Sequence, residues 1–175
     1  MTGVLIEVDD AVVIDALGRL AAAGADPRGF LTNVGEILVA STKERFRTEK
    51  DPEGQPWAPL NPLYAAGKPA GKKILEASGQ LSHESIVYQI ADTQLEVGTN
   101  RPHARVHQFG AIIVPKSAAA LVFEMGGETF RVKSVTVPAR RFLGISAEDR
   151  ERIVEAADDF FADLAGGSGG VTTGK

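Results

Sequence analysis

His103 and His107 stand four residues apart in "RPHARVHQFGA" (101–111). That is one helical turn, the spacing at which two imidazoles can share a zinc ion. Between them lie Ala104, Arg105 and Val106, so the glutamate of an H-E-x-x-H motif is missing. A catalytic zinc takes three protein ligands, and the remaining histidine, His83, has no motif spacing to the pair. Arg101 and Arg105 flank the pair and would repel a cation. A metal-dependent hydrolase built on the pair is therefore the weakest of three functional readings.

Other catalytic patterns fare no better. There is no G-x-S-x-G elbow, and Ser82 beside His83 is adjacency without geometry. "GKPAGKK" (67–73) lacks the register of a phosphate loop, and no strong strand feeds it. Residues 147–165 carry seven acidic side chains against two basic ones, the pattern of a solvated helix face. Arg131, Lys133, Arg140 and Arg141 form the opposite patch. Without interleaved aromatics it is not built to stack bases. Contact with nucleic acid through this patch, weakening steeply with salt, is the second reading.

The elements that must position these residues follow from composition and periodicity. The chain has 175 residues, 43% of them hydrophobic, a formal charge of −4 and no cysteine. It is long enough for one domain with a sizeable core. Disulfides and thiolate chemistry are excluded. The charge does not favour sequence-wide attraction to nucleic acid or anionic lipid. No apolar run approaches the roughly 20 residues of a membrane span, and "MTGVLIEVDD" lacks the basic start of a secretory signal.

Residues 2–8 read as a strand. A helix follows, with Val13, Leu17, Leu20 and Ala21 on one face until Gly24. Asp26 suits the cap of a second helix and Pro27 its first position. There Phe30, Val34, Ile37, Leu38 and Ser41 share a stripe, and Lys43, Glu44, Arg45 and Arg47 make the polar face. Residues 50–73 hold five prolines and three glycines, which forbid any long regular element. They also hold Trp57, Leu60, Leu63 and Tyr64, which a disordered linker would lack. This is an extended arm that docks on its own chain or on a neighbour.

Residues 74–85 look helix-like. Residues 86–99 make a hairpin turning at Ala91-Asp92-Thr93, 111–115 is a strand, and 120–138 is a hairpin turning at Gly126-Gly127. A final helix is capped by Ser146, with Ile153, Ala157, Phe160, Phe161 and Leu164 as its buried stripe. The tail 166–175 is Gly-rich and has nothing to bury. The layout is α+β: two N-terminal helices, a central antiparallel sheet of hairpins, a long Pro/Gly-rich loop and a C-terminal amphipathic helix within a single domain, 1–165.

Four stretches occur in a telling order: "GQPWAPL" (54–60), "KKILEASGQLSHESI" (72–86), "VGTNRPHARVHQFG" (97–110) and "VPARRFLGIS" (137–146). Together they resemble the tail completion, or virion morphogenesis, family of contractile-tailed bacteriophages, found in Mu-like phages and their relatives. Gly54, Trp57, Pro59, Leu60, Leu75, Gly79, Leu81, Gly98, His107, Gln108, Gly110, Pro138, Arg140, Phe142 and Leu143 fall on the family's pattern in order. The likeness covers roughly residues 10–165. His103 departs from it, standing where relatives more often have tyrosine.

The resemblance implies a structural protein of the virion neck or tail, made in the bacterial host cytoplasm, with no enzyme activity and no cofactor. It implies a homo-oligomeric ring around the DNA channel, six-fold if placed on the tail side. The neighbours would be the head connector, the tail tube or the tail terminator, with possible non-specific contact with genomic DNA and none with a membrane. Trp57, Leu60 and Tyr64 of the arm, with Arg140 and Arg141, are the residues expected at a subunit boundary. His107, Gln108, Gly110, Pro138 and Phe142 are expected to be structural: His107 and Gln108 bonding backbone, Gly110 reversing the chain, Pro138 ending a strand and Phe142 entering the core.

Overall fold

The computed structural model describes residues 4–5, 11–22, 24, 26–76, 79–82 and 84–167. His83, the acidic pair Asp9 and Asp10, and the tail from 168 onward lie outside the described residues. The fold is α+β. The helices are α1 (Ala11–Ala22), α2 (Arg28–Thr48), α3 (Pro62–Ala66), α4 (Ala104–Phe109) and α5 (Ala147–Gly167). The strands are β1 (Val4–Leu5), β2 (Val87–Ala91), β3 (Gln94–Thr99), β4 (Ala111–Ile113), β5 (Leu121–Met125), β6 (Glu128–Val132) and β7 (Val135–Val137).

Helix α2 is the spine. Its entry follows from Asp26, whose carboxylate accepts the Arg28 amide at 3.1 Å, while Leu31 N–H reaches Pro27 O at 2.9 Å. The N-terminal half buries Phe30, Leu31 and Val34 against Ala16 of α1 and Ile153, Ala156 and Ala157 of α5. Its C-terminal end carries Phe46 into a second cluster with Trp57, Leu81, Ile86, Ala104, Phe142 and Leu143. Between the two, Gly35 lets β2 approach: a Cβ there would stand 2.6 Å from the Tyr88 ring. The helix ends at Glu49, which turns left-handed (φ 56°) with its N–H on Arg45 O. For a residue other than glycine that conformation costs energy and persists where surrounding contacts hold it, as they do at Glu49. Its carboxylate accepts the Ile74 amide at 2.5 Å and its carbonyl accepts the Trp57 amide at 2.8 Å.

Among the described residues the strands form three small antiparallel sheets, β1-β3-β2, β4-β7 and β5-β6, rather than one continuous sheet. Hairpin β2–β3 turns at Asp92, as its Ala-Asp-Thr sequence predicts, and packs on α2. The expected hairpin 120–138 divides. Residues 121–132 pair with each other through the Gly126-Gly127 turn, and Val135–Val137 pair back with Ala111–Ile113.

Two other expectations change. Residues 74–85, helix-like in pattern, form turns where described. Gly79 takes φ 74°, and Ser82 and Ser85 hydroxyls donate to Gly79 O and Leu81 O, competing with a helical ladder. Conversely, the Pro/Gly-rich arm contains a short helix, α3. Pro62 sits at its first position and the Asn61 side chain accepts the Leu63 amide at 2.9 Å.

Candidate functional site

The stretches that carry the family pattern converge on one place, the extended segment 138–146. Helix α4 delivers Gln108 to it. The Gln108 amide is buried and makes three hydrogen bonds with main chain: Nε2 donates to Leu143 O at 2.9 Å, and Oε1 accepts Phe142 N and Leu143 N, each at 3.0 Å. A side-chain amide here does what a paired strand would do for an otherwise unpaired segment. One residue earlier, His107 O accepts the Arg140 amide at 2.6 Å. Gly110 then reverses the chain at φ 72°, and a Cβ there would stand 3.0 Å from Val137 O and Ala139 N. No other residue fits that closeness.

The arm is tied to the same segment. Arg140 Nε donates to Ala58 O at 2.8 Å and its Nη2 to Pro59 O at 3.0 Å. Trp57 Nε1 donates to Arg141 O at 2.9 Å. Its ring packs edge-on against Phe46 (5.4 Å), which in turn lies 5.1 Å from Phe142. Arg141 itself is exposed and pairs with Glu53 at 2.8 Å.

Arg45 holds the far end. Its Nη1 donates to Phe142 O and Gly144 O at 3.0 and 2.9 Å, and its Nη2 to Asp149 at 2.5 Å and Ser41 at 2.9 Å. Asp149 and Ser146 cap α5 reciprocally, Ser146 N to Asp149 Oδ2 at 2.8 Å and Asp149 N to Ser146 Oγ at 3.1 Å. Burial lowers the pKa of both Arg45 and Arg140; for Arg45, Asp149 opposes the shift.

Among the residues expected to be structural, Gln108 and Phe142 are buried in this clamp, Gly110 makes the reversal, and exposed Pro138 follows the end of β7. His107 bonds backbone through its own main chain, its carbonyl accepting from Arg140 and its N–H donating to His103 O at 3.3 Å; its ring Nδ1 is inaccessible to solvent and has no partner. Burial first, then His103 and Arg140, hold its pKa below the ordinary histidine value. The two rings are 6.0 Å apart and nearly perpendicular, and no group of three metal-ligating side chains occurs among the described residues. The half-buried His107 ring thus lies beside the Arg140 guanidinium.

Of the residues expected at a subunit boundary, Trp57 is only 6% exposed and lies inside the chain's own core. Arg140 is equally enclosed and spends its guanidinium on the arm's carbonyls. Both are consumed at home because the arm's first half folds back on α2. Leu60 is half-buried, while Tyr64 and Arg141 remain on the surface. Arg131 and Lys133 are exposed, so the basic patch keeps them and loses Arg140 to the interior.

Sequence reading missed Arg45 and Asp149, having assigned Arg45 to the polar face of α2 and Asp149 to a solvated one. The signals were present. Arg45 continues the Phe30–Val34–Ser41 stripe at helical spacing, and Asp149 stands three residues after a capping serine. An open depression of about 450 Å³, lined by Asp26, Arg28, Thr32, Ile90 and Asp92, shares no residue with the clamp.

The model of the phage virion morphogenesis family matches residues 8–162. The chain is 26% identical over 163 residues to the Mu-like prophage FluMu G protein 2 of Haemophilus influenzae, covering 89% of this chain and 94% of that protein. No solved structure matches.

Proposed function

The chain belongs to the phage virion morphogenesis family, and from that premise we propose that it is a non-enzymatic ring component of the virion neck, completing the tail or joining it to the head around the DNA channel. The observation that carries this reading is where the family's pattern falls. Trp57, Gln108, Arg140 and Phe142 are all spent on holding one segment rigid, which is how a part that works by shape uses its polar side chains.

A ring is built from heterologous contacts, each copy offering one surface to a different surface of the next. Rigid positioning of the elements that bear those surfaces is what the clamp supplies. The partners are further copies of the chain, six-fold symmetry being the tail-side arrangement, and the head connector, tail tube or tail terminator. Arg131 and Lys133 are the residues that would face DNA in the channel. A phage or prophage deleted for this chain should release separate heads and tails, restored to joined particles by the gene in trans. Full particle yield without the chain would refute the reading.

A further inference from the structure

Strands β4 to β7 form a ribbon that stands apart from both cores. The β4–β7 and β5–β6 ladders follow one another on the same two chain segments, broken by residues 114–120 on one side and 133–134 on the other. Neither ladder packs extensively on another described helix or strand; the turn touches the arm where Gly126 meets Leu63. A two-stranded hairpin is marginal in water unless a third strand or another surface covers it.

Apolar side chains lie at both ends of the ribbon, exposed at the base and half-buried at the tip. At the base, Phe109, Ile112, Ile113 and Val114 are 60%, 70%, 41% and 58% exposed, with β4 paired on one side only. At the tip, Leu121, Phe123, Met125, Phe130 and Val132 share one half-buried face, where the Phe123 and Phe130 rings stack at 5.7 Å, and Val122 on the opposite face is 63% exposed. An exposed apolar edge strand invites pairing with another chain, and natural proteins cover such edges.

We infer that each copy covers the next: the apolar face of the β5–β6 hairpin of one molecule packs on the Phe109–Val114 segment of its neighbour. This rests on the ring-forming role proposed above and supplies its contact. The base alone exposes about 400 Å² of apolar surface, judged from the size of such side chains. One side of a standard interface buries about 800 Å², a little over half of it apolar, so the area is that of one complete contact. The rims are complementary in charge: Arg105 and Lys116 flank the base, and Glu128, paired across from Met125, is exposed on the hairpin's apolar face. The two surfaces differ, so the contact is head-to-tail and propagates.

Sedimentation of the purified full chain at high micromolar concentration tests this. The native chain should assemble beyond a dimer. Ile112→Asp should break the acceptor surface, and Phe123→Ser with Phe130→Ser the donor, each weakening self-association at least about thirty-fold. Ile112 is exposed in the free chain, so its variant should keep the native circular dichroism, and Val114→Asp repeats the acceptor arm. A mixture of acceptor-broken and donor-broken chains should stop at dimers, because each pair retains one good contact. Assembly of the Ile112→Asp chain like the native one would overturn the inference and leave the ring role standing. A native chain that stays monomeric, or a mixture without dimers, would overturn it as well, with the neck role then judged by the deletion phenotype alone.

Discussion

Replacing Gln108 with methionine keeps the shape of the side chain and removes all its hydrogen bonding. The substitution strands three main-chain groups, Phe142 N–H, Leu143 N–H and Leu143 C=O, in a place where Gln108 itself is 2% exposed. A buried polar group left without a partner costs about 1–3 kcal/mol. The three are neighbours that can relax together, so the total is about 3–5 kcal/mol rather than a full sum. For a chain of this size that lowers the melting temperature by about 10 °C. Differential scanning calorimetry of the purified protein reads it directly, with circular dichroism confirming that helices α2 and α5 persist before the melt. A fall of less than about 2 °C, typical of a surface substitution, would mean that segment 138–146 does not depend on the amide, and the clamp would lose its meaning.

Other perturbations probe the remaining contacts. Trp57→Phe keeps the packing on Phe46 but loses the donor to Arg141 O, and should cost about 1 kcal/mol in urea unfolding; no loss would place the indole elsewhere. Arg45→Met leaves the Asp149 carboxylate buried and unpaired, and should cost about 3 kcal/mol, with a double-mutant cycle against Asp149→Ala showing coupling above about 1 kcal/mol. His107 has a folded pKa below its unfolded value of about 6.5, so between the two the unfolded chain binds the extra proton. Its contribution is therefore complete above about pH 6.5 and lost as the pH falls through the folded value. His107→Gln should flatten the fall in melting temperature between neutral and mildly acidic pH, and an unchanged slope would assign that fall to other groups.

Much of the fold was legible because its local signals agree with its tertiary use. The stripe on α2, the Asp-Pro entry, the Gly-Gly turn and the Ser146 cap each have a short-range physical cause that the structure leaves in place. What was hidden depends on distance along the chain. Nothing near Val135 says that it pairs with Ile113 rather than continuing a hairpin. Likewise Glu49 reaches across to Ile74 and replaces a helical start with a turn. Arg45 was misread for the same reason: a cation on a helix reads as solvated until its carboxylate, contributed by α5, is in view. The clamp could be named from its motifs, since Gln108 was expected to bond backbone and Phe142 to enter the core. That Trp57 and Arg140 serve the chain's own core instead of facing outward required the path of the arm.

The most direct measurement is a reconstruction of the intact particle's neck by electron cryo-microscopy, with this chain identified in the density. The account requires a closed ring of copies around the channel between capsid and tail, each copy's β5–β6 ribbon lying on the next. Density that accounts for every neck and tail protein without this chain would contradict it.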